Sequence, residues 1–174
     1  MIISVSEAKE HIKTDLEYSV LEAKLQALEL SIRGYTNNNF QQRNIRTVCP
    51  VMAQKLYTAY PHFKAGDTVQ ISQSIFNDGV YTIESIEGDM IELDKPLLDE
   101  NQVLVTKVEY PADVKMGVVN MLKWDLKNRD KVGIQSETIS RRSVTYFDMS
   151  ADNSTIGYPK TLVGFLKPYM KARF

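Results

Sequence analysis

At 174 residues the chain has room for one good core, or a core with a small satellite module, and two full domains would be cramped. With 43% hydrophobic and 25% charged residues, its composition is that of an ordinary globular chain, neither disordered nor membrane-like. A formal net charge of -1 excludes a strong overall pull toward nucleic acid or an anionic membrane.

The opening MIISVSEAKEH lacks a basic stretch followed by an apolar core, so no targeting leader is expected and no membrane partner. Ser4 with Glu7 three residues on has the capping-box spacing, and predicts a short helix carrying Ala8, His11 and Ile12. Leu21, Leu25, Leu28, Ile32 and Tyr35 then recur at steps of four, three, four and three. That spacing puts them on one face of a helix from about Leu16 to Gly34, with Gly34 as its left-handed cap. A leucine stripe of this kind is a core face, not a cofactor pocket.

After Asn37, Asn38 and Asn39 the character changes. Short β runs are expected at Thr68 to Ser72, Val80 to Ile86, Met90 to Leu93 and Val103 to Val108, with turns at Asn77-Asp78-Gly79 and Glu87-Gly88-Asp89. Several short strands in so short a stretch suit a small barrel or curled sheet. Gly66 and Asp67 followed by Val69 and Ile71, then a hairpin, look like the small SH3-like barrels.

Pro111 opens the next helix, where its missing N–H costs nothing. Val114, Val118, Met121, Leu122 and Leu126 give it an apolar face to about Asn128, with Trp124 on the flank. From about 131 to 158 there is no helical period. Ile134, Ile139, Val144 and Tyr146 stand among Ser, Thr, Glu and Arg, as in a strand half covered by a partner. A stretch of this length inside a compact chain points to a binding role, and it is expected to be an extended arm contacting neighbouring subunits. Gly157, Tyr158 and Pro159 form a turn into a last helix carrying Leu162, Val163, Leu166, Tyr169 and Met170, with a kink or early stop at Pro168. The expected fold class is therefore α+β: a small helical bundle core from 1–46 and 111–174, with an inserted β-barrel-like, SH3-like module at 47–110 and the extended arm.

Groups able to act together in catalysis are scarce. There is no Gly-rich phosphate loop, no His beside a nucleophile and no helical His pair, so no enzyme is expected. Cys49 is the one cysteine, which excludes an intrachain disulfide; with only His11 and His62 beside it, no metal site and no cofactor are expected. The simplest role for Cys49 is a small buried or half-buried thiol. Between Glu84 and Glu100 seven acids face only Lys95, at turn and solvent-facing strand positions where each is expected to ionise near its ordinary pKa. From Pro159 to Phe174 there are four bases and no acid.

The chain resembles the phage head-tail connector family, also described as adaptor or head-completion proteins, with relatives encoded in bacterial prophages. The resemblance rests on Ser6-Glu7-Ala8-Lys9-Glu10-His11 before a long helix, on Tyr35 with Phe40, and on PADVKMGVVNMLKWDLKNR from Pro111 to Arg129. The closing run is its most specific part: Ser136-Glu137-Thr138-Ile139-Ser140 through Tyr146 to Gly157-Tyr158-Pro159 and Leu166-Lys167-Pro168-Tyr169. It covers the helical portions; the β-rich segment departs from shorter members, which join their helices by a loop.

The resemblance implies a structural virion protein, made in the host cytoplasm and located at the head-tail interface. Such proteins form a ring of about twelve copies beneath the portal of a filled head, monomeric in dilute solution and assembling on the portal. The ring gives the tail, or a stopper protein, its attachment site and prolongs a channel through which DNA passes without specific binding. On this basis Glu137, Arg141, Arg142, Tyr146 and Tyr158 are expected at subunit contacts, and Lys167, Lys171, Arg173 and Phe174 in portal docking. The acidic strands are expected to form a surface that does not grip DNA, since a negative wall lets a polyanion slide where a basic one holds it. The alternative from another class is a nucleic-acid-binding module using the SH3-like segment. Adjacent Arg141 and Arg142 suit phosphate, but a single pair without further bases is a weak footprint.

Overall fold

A computed structural model describes residues 1–128, 136–139, 142–145, 150 and 152–172, the two four-residue stretches by their backbone alone. The described residues form a mixed α+β fold with four α-helices and a closed six-stranded β-barrel. Two compact units divide the chain: Met1–Asn38 with Tyr110–Phe174, and Asn39–Glu109.

In the first unit, Ser4 accepts the Glu7 N–H on its Oγ at 3.1 Å while Glu7 accepts the Ser4 N–H at 2.8 Å. This reciprocal cap satisfies two otherwise orphaned donors and starts α1 (Val5–His11). Helix α2 (Tyr18–Thr36) buries Leu21, Leu25, Leu28 and Ile32, as the spacing requires. Its end differs from the expectation. Gly34 lies inside the helix, and the left-handed residue is Asn37, at φ 49°, with its N–H donating to the Arg33 carbonyl. Asn tolerates that conformation because its short polar side chain can bond locally, so a helix can run past a glycine to an asparagine cap. Helix α3 (Ala112–Asn128) buries Val114, Val118, Met121 and Leu122. Buried Gly117 on its face lets another segment come close.

The closing helix is shorter than its pattern suggests. Helix α4 (Lys160–Val163) passes at once into a 3₁₀ helix, Gly164–Tyr169, which contains Pro168. The tighter turn accommodates a residue that lacks an N–H and would disrupt an α ladder. Helix α3 packs against α2, α4 and this 3₁₀ segment.

The second unit is the barrel: β1 (Gln41–Met52), β2 (Lys55–Tyr57), β3 (Thr68–Ser72), β4 (Gly79–Glu87), β5 (Met90–Leu93) and β6 (Glu100–Val108). All neighbours are antiparallel in the order β1-β2-β5-β4-β3-β6, and β6 closes back on β1. Closure leaves no unpaired edge to template aggregation. The period-two alternation points Val69, Ile71, Ile83, Ile91, Val103 and Val105 inward, and Ile71 lies directly opposite Val105. Cys49 shares this core, and burial pushes its thiol up to about 11, which keeps it protonated and unreactive at neutral pH. The strands begin at Gln41 rather than at Thr47; the polar residues at the start of β1 hide the alternation from a reading of the sequence.

Within the stretch expected as an extended arm, 131–158, the described residues form short paired strands. β7 (Ser136–Ile139) pairs antiparallel with β8 (Arg142–Thr145), and β9 (Ser154–Thr155) with β10 (Tyr158–Pro159). The main-chain groups of these paired residues bond within the chain.

Candidate functional site

Of the residues expected at subunit contacts, Tyr158 is the one that the described structure brings onto α3. The two-residue turn between β9 and β10 places Ile156 and Gly157 at φ 48° and 79°, the mirror-image turn that suits a tight hairpin. This turn directs Tyr158 inward. Its hydroxyl donates to Asp125 Oδ1 at 3.1 Å, and its ring meets Trp124 edge-on with centroids 5.4 Å apart. Asp125 Oδ2 in turn faces Lys24 Nζ at 3.3 Å. Tyr158, expected at a subunit contact, is thus buried and engaged within its own unit.

Further along, the Tyr169 hydroxyl donates to Asp113 at 2.8 Å, and that bond raises the phenol's pKa because the neutral form is the donor. The backbone beyond it is tied to the end of α2. Asn38 Nδ2 donates to the Tyr169 carbonyl at 3.0 Å, the Lys171 N–H to the Thr36 carbonyl at 2.8 Å, and Asn37 Nδ2 to the Ala172 carbonyl at 2.8 Å. Orphan polar groups at the helix end and in the last residues satisfy one another. The Lys167 and Lys171 side chains are left exposed on this anchored backbone.

Glu137 pairs with Val144 and Arg142 with Ile139 in the β7–β8 register. Arg141, Tyr146, Arg173 and Phe174 lie outside the described residues.

The acidic stretch of the barrel lies where the sequence put it: Glu84, Glu87, Asp89, Glu92, Asp94 and Asp99 are exposed. Glu100 departs from the expectation of ordinary ionisation. It accepts from the Ser74 hydroxyl at 2.5 Å, from the Ile75 N–H at 2.7 Å and from Asn77 Nδ2 at 3.0 Å. The Ser74 hydroxyl foremost, then the Ile75 N–H, hold its carboxyl below the usual range. Asn77, buried, links the same loop to the next one: its Nδ2 donates to the Leu98 carbonyl at 2.9 Å and its Oδ1 accepts the Leu98 N–H at 2.8 Å. These bonds present Ile75, Phe76 and Leu98 at 80%, 64% and 61% exposure. Sequence reasoning marked the turn at Asn77 and missed this apolar tip; the adjacent Ile75 and Phe76 beside turn residues were its signal.

Among the described residues no cluster of three or more His, Cys, Asp or Glu is placed to hold a metal ion, and no helix is long and apolar enough to cross a membrane. The chain matches no model of a known protein family, and no curated protein matches its sequence.

Proposed function

We propose that the chain is a structural virion protein, a head-tail connector that rings the underside of a portal, completes the DNA-filled head and offers the tail its attachment site. In this reading the helical unit is the connector's small bundle core and the barrel is an SH3-like insertion. The observation that carries the reading is the convergence on α3. The segments bearing the resemblance, Pro111 to Asn128 and Gly157 to Tyr169, are bonded into one body by Tyr158 with Asp125, Trp124 with Tyr158, and Tyr169 with Asp113. A set of residues scattered over the sequence thus acts as one structural element, as a connector core would need.

Lys167 and Lys171, held out from an anchored backbone, are the described positions proposed for portal docking. The exposed acids of β4 and β5 suit a wall past which DNA slides, and count against the rival reading of a barrel that grips nucleic acid, because such a grip rests on bases that release counterions. Electron microscopy of the protein mixed with portal-bearing, DNA-filled heads tests the proposal. Ring density below the portal is expected. Virions assembled without the protein that still hold their genomes and join tails would overturn it.

A further inference from the structure

The apolar tip of the barrel has a counterpart elsewhere in the same chain. In the helical unit, α1 and the start of α3 enclose a cleft of about 170 Å³. It is lined by Ile3 and Val119, both buried, by Ala112 and Met116, and by His11 and Lys115. Glu7 also lines it, with its carboxylate engaged by the Ser4 N–H at 2.8 Å and facing Lys115 Nζ at 3.8 Å. An apolar cavity of about 150 Å³ is known to accept a benzene ring, so this cleft is of a size for one phenyl group. Methionine, flexible and polarisable, suits such a lining, and Met116 is 46% exposed.

We infer that Phe76 of one copy inserts into the Ile3–Met116–Val119 cleft of a second copy, so that the barrel tip and the helical cleft form a head-to-tail contact between subunits. Size is the first argument. Charge is the second: Asp78 and Asp99 flank the tip, both exposed, and the one cation lining the cleft, Lys115, is held only at 3.8 Å by Glu7, so a carboxylate of the tip can share it. The acids also disfavour an anionic membrane as the tip's partner. Pre-ordering is the third, because the bonds from Glu100 and Asn77 fix the loop before contact and lower the entropy that binding must overcome. Tip and cleft are different surfaces, so a copy that gives its tip to one neighbour and its cleft to another makes a heterologous contact that repeats from copy to copy, closing into a ring where its rotation permits. A tip of three side chains covers far less than the ~1,200 Å² of a stable interface, so single contacts are weak and the ring gains by repetition. The inference deepens the connector reading and rests on it for where the assembly forms.

Sedimentation velocity of the whole chain over a concentration series provides the test, with Phe76→Asp and Met116→Asp as variants. Both positions are exposed, so circular dichroism and Tm should match the wild type. Wild type is expected to show weak, concentration-dependent self-association, and each variant to weaken it by roughly tenfold or more. Mixing the variants is decisive: one retains its cleft and the other its tip, so a one-to-one pair forms and grows no further. A wild type that stays monomeric throughout, or a variant that associates undiminished, overturns the contact. So does cosedimentation of the tip with phosphatidylcholine vesicles that Phe76→Asp abolishes while self-association persists. A Phe76→Asp chain that still rings the portal overturns this contact and leaves the connector reading standing. Self-association through tip and cleft in a chain that never joins heads does the reverse.

Discussion

Phe165 lies across Gly117 so closely that a β-carbon on the glycine would come within 2.1 Å of the ring's Cζ and 2.4 Å of its Cε atoms. A glycine inside a helix costs about 1 kcal/mol relative to alanine, and here it lets the 3₁₀ segment Gly164–Tyr169 approach α3. Gly117→Ala should therefore lower stability despite its better helix propensity, by about 1–3 kcal/mol of overpacking. Adding Phe165→Ala should return part of that loss, giving a non-zero coupling in a double-mutant cycle. Thermal denaturation measures both. A higher Tm for Gly117→Ala would show that the ring yields freely.

The Tyr110 hydroxyl donates to Glu29 Oε1 at 2.5 Å inside the helical unit, where Arg33 Nη1 also approaches that carboxylate at 3.7 Å. Burial first, then the Glu29 charge, push the phenol's pKa well above its ordinary value of 10.0. The folded chain then keeps a proton that the unfolded chain releases, so stability is full below pH 10 and falls as pH rises beyond it. The slope is about 1.4 kcal/mol per pH unit for each such proton. Cys49 contributes in the same direction between 9.0 and about 11. Denaturation of wild type and Tyr110→Phe across alkaline pH isolates the phenol. The variant should be less stable at neutral pH, by about 1–3 kcal/mol for the charge-assisted hydrogen bond that Glu29 loses, and show a shallower alkaline decline. Parallel curves would exclude this role.

Ala53 and Gln54 join β1 to β2 with φ of 48° and 67°, both left-handed, where Met52 pairs with Lys55. A left-handed non-glycine residue costs about 1–2 kcal/mol, and Asn-Gly is the pair that adopts this turn most readily. Ala53→Asn with Gln54→Gly should raise stability by about 1 kcal/mol or more. The check is chemical denaturation; an unchanged midpoint would mean that the turn is not strained.

That same turn shows why part of the barrel was hard to read in the sequence. Val69, Ile71, Ile83 and Ile91 alternate beside glycine and asparagine signals, and their strands were legible because the inward face and the turns agreed. Ala53-Gln54 carries no turn signal, so β2 went unseen. Gln41 to Arg46 offers almost no apolar residue, so the start of β1 was hidden. The helices were legible from their stripes, but Gly34 looked like a cap because composition does not show that Asn37 closes the helix while Thr36 to Asn38 receive the tail. Tyr158 carried no mark of burial, since its partners Trp124 and Asp125 lie more than thirty residues away. Contacts distant in sequence leave no local trace in composition or period. The Ser4–Glu7 cap, local in both senses, was legible in full.

The Glu100 carboxylate gathers one face of the barrel tip, and its removal should loosen the tip without opening the barrel. Glu100 accepts the Ile75 N–H, and Ser74 Oγ, bonded to the same carboxylate, accepts the N–H groups of Phe76 and Asn77 at 3.2 and 2.6 Å. Glu100→Ala removes the acceptor common to Ser74, Ile75 and Asn77. Asn77 stays bonded to the Leu98 backbone, and Tyr81 still donates to the Asn77 carbonyl at 2.9 Å, so the loop remains tethered at one side. Amide hydrogen exchange should show protection at Ile75 and Phe76 falling by roughly tenfold, with β3 and β6 core amides unchanged. Because hydrogen bonding depresses the Glu100 pKa, its contribution is present above the unfolded value and is lost as pH falls through the folded one. Acid should therefore reproduce the variant's loss of tip protection in the wild type, after correction for intrinsic exchange. Protection at Ile75 that survives both treatments would mean that Asn77 alone holds the tip, and Glu100 would then have no part in presenting Phe76.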